Sequence, residues 1–325
     1  MDALSELLRV VKLSGAMFFN AQCTSPWCVR SAHSRALGPY IAGPASHIIV
    51  FHLISEGRAF VRVGEETTPL AAGDIVMFPH GDAHLMGNGS GGEIVESEKE
   101  LPKILARKLE HSRLGGGGEA TALICGYLAC EAGLIRPAVA ALPRVVRVPI
   151  RSDAAGEWLE NSIRYAVHQA ASAPPGGEVI LARLAEVLFT EALRRYLTQL
   201  PAERTGWLAG ARDPIVGRSL AALHHRPAHA WTLDELAQEA GVSRSALTER
   251  FARYLGQSPI AYLADWRLEL GADALRTTSR SVLQVASDVG YESEAAFNRA
   301  FKRRFGQPPA QFRRTFREQA RKVAG

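Results

Sequence analysis

Between Arg299 and Lys322 the chain carries nine basic side chains, Arg299, Lys302, Arg303, Arg304, Arg313, Arg314, Arg317, Arg321 and Lys322, against one acid, Glu318. Guanidinium forks and ammonium groups pair with phosphate oxygens, so the chemistry such a cluster offers is the neutralisation of a polyanion. The bias is regional. Residues 214–325 hold 17 Lys and Arg against 11 Asp and Glu, a net of +6, and residues 1–213 hold 21 against 22, a net of −1. A basic excess confined to one part of a chain is the electrostatic footprint of a nucleic-acid binder, and a merely solvated basic face is the other reading of a charge run.

The elements that must position these cations are written twice. Residues 231–259 read WTLDELAQEAGVSRSALTERFARYLGQSP, and residues 280–309 read RSVLQVASDVGYESEAAFNRAFKRRFGQPP. Ala237, Ala246, Arg253, Gly256, Gln257 and Pro259 of the first copy recur as Ala286, Ala296, Arg303, Gly306, Gln307 and Pro309 of the second. Each copy opens with a capping-box pattern, Thr232 with Glu235 and Ser281 with Gln284. A short helix then ends at Gly241 or Gly290, the residue type a tight turn between helices requires. A second helix starts near Ser243 or Ser293, with Leu247, Phe251 and Leu255, or Phe297, Phe301 and Phe305, at helical spacing. This is a helix-turn-helix followed by its recognition helix. A long helix from Ile260 to about Thr277, with Leu263, Trp266, Leu270 and Ala274 on one stripe, joins the copies. Two recognition helices on one rigid connector can enter successive major grooves, about 34 Å apart on B-DNA.

These residues resemble the AraC/XylS-type transcriptional regulators. The resemblance rests on SRSALTERF, on GYESEAAFNRAFKRRFGQPPAQFRR and on the spacing between them, over residues 214–320. It implies a double-stranded DNA operator and RNA polymerase as partners, and an activator as the kind of regulator. Carried across, the family's pattern makes Ser245, Thr248 and Glu249 of the first unit, and Glu294, Ala295, Asn298 and Arg299 of the second, the base-facing candidates. Arg299 suits a bidentate bond to guanine and Asn298 one to adenine. Arg244, Arg250, Arg253, Lys302, Arg303 and Arg304 fall to phosphates. Glu249 departs from the family, which often has a basic or amide residue there; it either accepts from a cytosine amino group or pairs with Arg253 one turn later.

The first two-thirds of the chain read as a short helix over residues 4–13, then short β-type runs over 15–20, 27–30, 47–54, 58–63, 75–78 and 122–128. Glu56-Gly57 and Gly64-Glu65 are expected hairpin turns. Many short strands argue for an antiparallel barrel or jelly roll. Gly73, Pro79, Gly81, His84 and Asn88 match the second cupin motif at every spacing, so this part resembles a cupin. Cupins that bind metal imply a divalent ion here, held by His52, Glu56 and His84, although Val50 stands where a further histidine is expected; the alternative is two hydrogen-bonded barrel histidines. HSRLGGGGE, residues 111–119, reads as a loop by composition. Two helical stretches follow, about 153–171 and 178–200, the second with Leu181, Leu184, Leu188 and Leu193 near one face. They make a hairpin that either dimerises and couples, or simply packs on its own barrel. The expected fold class is α+β and multidomain: a cupin-like antiparallel β-barrel at 1–150, a helical hairpin at 151–200, a linker at 201–213 and an all-α domain with two helix-turn-helix units at 214–320.

Four cysteines in 325 residues make no disulfide framework, and no CxxC zinc pattern appears. The N-terminal half, from MDALSELL through Cys23 and Trp27 to Ile124-Cys125-Gly126, resembles the cupin-sensor subgroup of AraC-type regulators that includes regulators responding to reactive chlorine species. That resemblance makes Cys23 and Cys125 the redox candidates, with disulfide formation between them as the switch; a small-molecule effector in the barrel and a plain structural role for the thiols are the alternatives. The N-terminus does not read as a signal peptide and no apolar run approaches a membrane span, so a cytoplasmic, non-membrane protein is expected, with a homodimer possible. A metal-dependent cupin enzyme fused to a DNA-binding domain is the rival reading; no GxSxG and no phosphate loop support it.

Overall fold

The computed structural model describes residues 2–11, 13–41, 46–100, 112–170, 175–201 and 203–324. Its strands form two sheets. The larger runs in the order β11 (Val146–Pro149), β6 (Asp74–Phe78), β3 (Ser46–Glu56), β10 (Ala120–Glu131), β1 (Ser14–Thr24), β9 (Ser112–Gly115). The smaller runs β5 (Glu66–Ala71), β4 (Arg58–Val63), β7 (His84–Asn88), β2 (Trp27–Ser31), β8 (Ile94–Glu96). Pairing is antiparallel except for β1 with β9 and β2 with β8. Strand side chains alternate between faces, and both faces of the larger sheet are buried. From β3, Ile48, Val50 and Ile54 enter the core between the sheets, where they meet Trp27, Val61 and Met86 from the opposite sheet. Ile49, Phe51 and Leu53 enter a second core beneath helices. The six β-type runs predicted from sequence are all strands, but the Glu56-Gly57 hairpin is not one. That pair turns a corner from β3 into β4, which belong to different sheets. Gly57, at φ +72°, is needed there because a Cβ would stand 2.1 Å from the Ala120 carbonyl oxygen. Gly64-Glu65 does close a hairpin, between Val63 and Glu66 of β4 and β5. The glycine-rich loop begins as a strand, β9, running parallel to β1.

Helix α1 (Ala3–Val10) is capped by the Asp2 carboxylate, which accepts the Ser5 N–H at 2.9 Å. Two helices of this half were not foreseen: α2 (Ser34–Ile41), and α3 (Ala132–Val139), which continues directly from β10. The predicted hairpin is α4 (Ala154–Ala170) and α5 (Gly177–Gln199). Leu181, Leu188 and Leu193 of α5 are buried in the same core as Ile49 and Phe51, so the hairpin covers the outer face of the larger sheet. Its far side leaves Trp158, Tyr165, Val179, Ile180 and Val187 exposed.

The C-terminal third is helical: α6 (Trp207–Arg212), α7 (Pro214–His225), α8 (Leu233–Ala240), α9 (Arg244–Leu255), α10 (Pro259–Thr277), α11 (Val282–Asp288), α12 (Glu294–Phe305) and α13 (Pro309–Ala324). Helix α6 occupies residues read from sequence as linker. The core divides unevenly. Leu220, Leu236, Leu247, Phe251, Leu263 and Trp266 belong to one cluster with Leu7 of α1 and Leu134 of α3, so the first helix-turn-helix unit is packed continuously with the sheet-and-helix half. The second unit has a core of its own, built on Leu275, Val285, Phe297 and Phe301.

Candidate DNA-reading surface and barrel site

Both recognition helices start the same way. Ser243 and Ser293 cap α9 and α12 by accepting the N–H of Ala246 and Ala296, and each helix ends on a left-handed glycine, Gly256 at φ 68° and Gly306 at φ 76°. The helix before each is held by its own cap. Ser281 and Gln284 form the full reciprocal box, whereas Thr232 only accepts from the Glu235 N–H, because the Glu235 carboxylate turns instead to His229 Nε2 at 2.6 Å. In the second turn Gly290 has φ +88°, and a Cβ would meet the Ala228 carbonyl oxygen at 2.7 Å. With Leu247 and Phe251 of α9 buried inward, Arg244, Ser245, Glu249, Arg250 and Arg253 are left exposed and Thr248 half-buried. With Phe297 and Phe301 of α12 inward, Glu294, Ala295, Arg299, Lys302 and Arg303 are exposed and Asn298 half-buried.

The cations are not equivalent. Arg250 is tied to Asp213 at 2.6 Å, the same carboxylate that caps α7, and Arg304 to the buried Glu269 of α10 at 3.0 Å. Arg244 pairs with Asp234 at 3.2 Å on the surface, and Arg253 lies 5.5 Å from the centre of the Tyr254 ring. No ion pair joins Glu249 to Arg253 among the described residues.

Inside the barrel the register pairs Cys125 of β10 directly with His52 of β3. Cys125 Sγ lies 2.7 Å from His52 Nδ1, His52 Nε2 lies 2.9 Å from His84 Nε2, and His84 Nδ1 lies 3.0 Å from the Asp82 carbonyl oxygen. A carbonyl only accepts, so His84 carries its proton on Nδ1 and presents a lone pair at Nε2. His52 therefore donates from Nε2, and its Nδ1 accepts the Cys125 S–H. The chain of protons runs one way, from thiol to carbonyl, with every ring neutral. Burial, reinforced by the facing imidazole, holds His52 well below its ordinary pKa; burial takes His84 down to about 4, against the pull of the Asp82 carbonyl. Burial pushes the Cys125 thiol far up and Cys23 up to about 12.

Two sequence readings are corrected here. Glu56 does not join His52 and His84: it stands at the open end of β3, past a register shift at Ala122, with its side chain 54% exposed and paired to Arg164. Among the described residues no three His, Cys, Asp or Glu side chains are grouped to hold a metal. Two imidazoles bonded to each other, with no carboxylate beside them, do not fit the divalent ion that cupins imply. Nor do Cys23 and Cys125 face each other. Cys23 is opposite Thr121 and Cys125 opposite Phe19, so the two sit on one face of adjacent strands but four positions apart. At about 3.3 Å per residue that is roughly 13 Å along the ladder, while a disulfide needs Cα atoms within about 7 Å.

A cupin family model matches residues 2–198 and a helix-turn-helix domain model matches residues 236–315. A protein of Streptomyces antibioticus named as an AraC-like transcription regulator is 30% identical over 321 residues, 97% of this chain and 99% of its own. This chain is an AraC-like transcription regulator. Among its relatives are the HTH-type transcriptional regulator AlkR of Acinetobacter baylyi, 28% identical over 96% of this chain and 99% of the relative, and the RCS-specific HTH-type transcriptional activator RclR of Escherichia coli, 28% identical over 98% of this chain and 100% of the relative.

In this regulator the barrel and the DNA-binding half are joined by more than a linker. Strand β10, which carries Cys125, ends at Glu131, and Glu131 pairs with Arg276 of α10 where both side chains are largely buried. Helix α3 follows without a break, and its Arg136 donates to Glu269 Oε1 at 3.0 Å, the same oxygen that accepts from Arg304 of α12. On the other side α1 packs along α7, with His225 3.3 Å from the buried Glu6. No helix among the described residues is long and apolar enough to cross a membrane. The contacts of Glu131 and Glu269 escaped the sequence reading; the only available sign was a pair of acids on otherwise apolar stretches.

Proposed function

We propose that this regulator reads a bipartite operator, with Ser245, Thr248 and Glu249 of α9 facing one major groove and Glu294, Ala295, Asn298 and Arg299 of α12 the next. The observation that carries the reading is that the two helices, with identical caps and stops, expose the same face and are joined by one unbroken helix, α10. Arg253, Lys302 and Arg303 suit phosphates, and Arg244 joins them once it leaves Asp234; Arg250 and Arg304 act chiefly as internal struts. Arg299→Ala should relax specificity at one base pair and cost about 1 to 3 kcal/mol, while Lys302→Ala should weaken all sequences alike and lower the salt slope by about one. Titrations on wild-type and single-mismatch operators check this, and equal, sequence-independent losses for both variants would refute the assignment.

For the signal, the Cys125–His52–His84 chain favours thiol oxidation, in line with the relative named as RCS-specific. Hypochlorous acid would transfer Cl⁺ to sulfur as the S–H proton passes to His52 Nδ1 and hydroxide leaves; proton and hydroxide make water. Hydrolysis of the sulfenyl chloride then gives a sulfenic acid, H⁺ and Cl⁻, with sulfur oxidised by two electrons and chlorine reduced by two. An added oxygen overpacks a closed core, and β10 transmits the shift to Arg276 and, through α3, to Glu269 and Arg304. Footprints before and after brief hypochlorite treatment test this. Wild type and Cys23→Ser should change, Cys125→Ser should not, and His52→Gln should respond more slowly; a response that survives in Cys125→Ser places the signal elsewhere. We read residues 1–150 as the sensor, 151–200 as the coupling hairpin, 201–213 as the linker and 214–320 as the DNA-binding domain. The exposed apolar side of α4 and α5 suits a second copy of the chain, which sedimentation of the full chain distinguishes from a monomer, and RNA polymerase is the partner expected of an activator. The incomplete metal set argues against a cupin metalloenzyme.

A further inference from the structure

The two turn glycines stand in unlike surroundings. Gly241 and Gly290 both have positive φ, +73° and +88°, so each turn needs a glycine for its backbone alone. At Gly241 a Cβ would find only Arg218 Nη1, at 3.6 Å. At Gly290 it would strike the backbone of Ala228, with the carbonyl oxygen at 2.7 Å and Cα at 2.8 Å. The second turn is therefore seated on another stretch of main chain, and that stretch belongs to the first unit, as the connection between α7 and α8. The connection is itself held on two sides. Trp231, buried in the larger core, donates from Nε1 to the Arg226 carbonyl oxygen at 3.1 Å and lies 4.6 Å beneath the Arg226 guanidinium. From α10, Arg267 donates through Nε to the Pro227 carbonyl oxygen and through Nη2 to that of His229, each at 2.7 Å. A planar cationic fork spanning two carbonyls fixes their geometry as well as their separation.

Gly241 and Gly290 are 49 residues apart, and so are Arg218 and Arg267. The arginines diverge as the glycines do: Arg218 reaches one carbonyl, that of Ala240 at 3.3 Å, inside its own unit, whereas Arg267 holds the loop on which the second turn sits. The second unit thus has two supports. Helix α12 rests on α10, where a Cβ at Gly271 would stand 2.9 Å from the Phe297 ring, and the turn before α12 rests on Ala228. A body supported along one helix can roll about it; a second support on another segment stops the roll. We propose, on the footing that both units read one operator, that Arg267 and residues 227–229 are the positioning device that restricts this regulator to a single half-site spacing. Arg267 is half-buried and spent on carbonyls, so it acts through the placement of α12 and not on DNA. One inserted base pair shifts a half-site by about 3.4 Å and turns it by about 35°. With the joint intact the second unit loses its groove; with the joint released it rolls to follow.

The probe is the duplex that the full-length wild-type protein selects from a random-sequence pool, remade with one base pair added or removed between its half-sites. Wild type should bind both altered duplexes at least about tenfold more weakly than the parent, the worth of one good base contact. Arg267→Ala should cut that penalty to about threefold, because the second unit can now follow its half-site. Its hydroxyl-radical footprint should still cover both half-sites on all three duplexes. Gly290→Ala, which drives the turn off Ala228, should flatten the profile likewise. Gly241→Ala carries similar backbone strain with no main chain to strike, and should weaken all three duplexes alike. An Arg267→Ala protein that keeps the wild-type penalty overturns the proposal and leaves the bipartite reading standing. A flat profile with the second half-site unprotected also overturns it, since Arg267 would then only keep the second unit folded. Wild type binding all three duplexes equally would overturn the bipartite reading, and the positioning role with it.

Discussion

Phe301→Ala should erase the half of the operator footprint that belongs to α12 and leave the α9 half in place. Phe301 is fully buried, with the rings of Phe297, Phe305 and Phe312 at 5.3, 4.4 and 5.2 Å. Removing such a ring costs about 3 to 5 kcal/mol from lost transfer energy and the cavity left behind. The second unit has little else to lose: its buried core is eight side chains, three of them Ala272, Ala286 and Val289, and it meets the larger cluster only through the half-buried Leu270 among the described residues. That loss is comparable with the whole stability of a small domain. The first unit differs, because Phe251 and Leu247 sit in a core continuous with the barrel's outer face, which holds α9 in place whatever happens to α12. Footprinting of the variant, with hydrogen exchange on α11 to α13, checks the expectation. Loss of both halves together would show that α10 passes disorder back into the first unit, and that the two units do not melt separately.

What the sequence disclosed, and what it hid, follows from where each signal lies along the chain. The helix-turn-helix units were legible because caps, turn glycines and apolar spacing are local, and because they occur twice in register. Strands β3, β4 and β10 were legible as runs of β-branched and aromatic residues. Strand β5 was not, since ETTPLA is an edge segment with a proline and mostly exposed side chains. Helix α3 was hidden by Gly133 and Pro137, which read as breakers; a Cβ at Gly133 would stand 2.0 Å from Glu269 Oε2, so any larger residue there displaces that carboxylate. Motif spacing put His52 and His84 in one barrel but could not show that they bond to each other, nor that Cys125, 73 residues from His52, completes the chain. That contact depends on the register between β3 and β10, which no local pattern encodes. The same register separates Cys23 from Cys125, so two residues paired by family resemblance are apart in the fold.

Three buried histidines, two on strands and one on helix α7, give the second large effect, a loss of stability just below neutral pH. His52, His84 and His224 are all buried and neutral, burial holding His52 well below its ordinary value, His84 at about 4 and His224 at about 3. His224 stacks on Trp266 at 4.2 Å between ring centres, and its Nε2 is 2.7 Å from the Tyr262 hydroxyl. In the unfolded chain each titrates near its ordinary pKa, about 6.5. Above that pH neither state binds the proton and the shift has no effect. As pH falls below it, the unfolded chain takes up protons that the native one refuses, so stability falls, by up to about 1.4 kcal/mol per pH unit for each histidine. Three together approach roughly 4 kcal/mol per unit once pH is well below 6.5. The carboxylates held low by their arginines or helix caps, such as Glu191 and Asp153, act in the same direction only nearer pH 4, so imidazoles dominate the interval from 6.5 to 5, with His47, also lowered by burial, adding to the loss and Glu131, raised by burial, opposing it. Thermal melts across that interval should show the transition falling steeply with acid. His84→Gln should start lower at pH 7 yet fall less steeply, because one of the refused protons is gone. A transition that stays level from pH 6.5 to 5 would mean these rings take up protons in the folded protein, and the one-way chain from Cys125 to Asp82 would not hold.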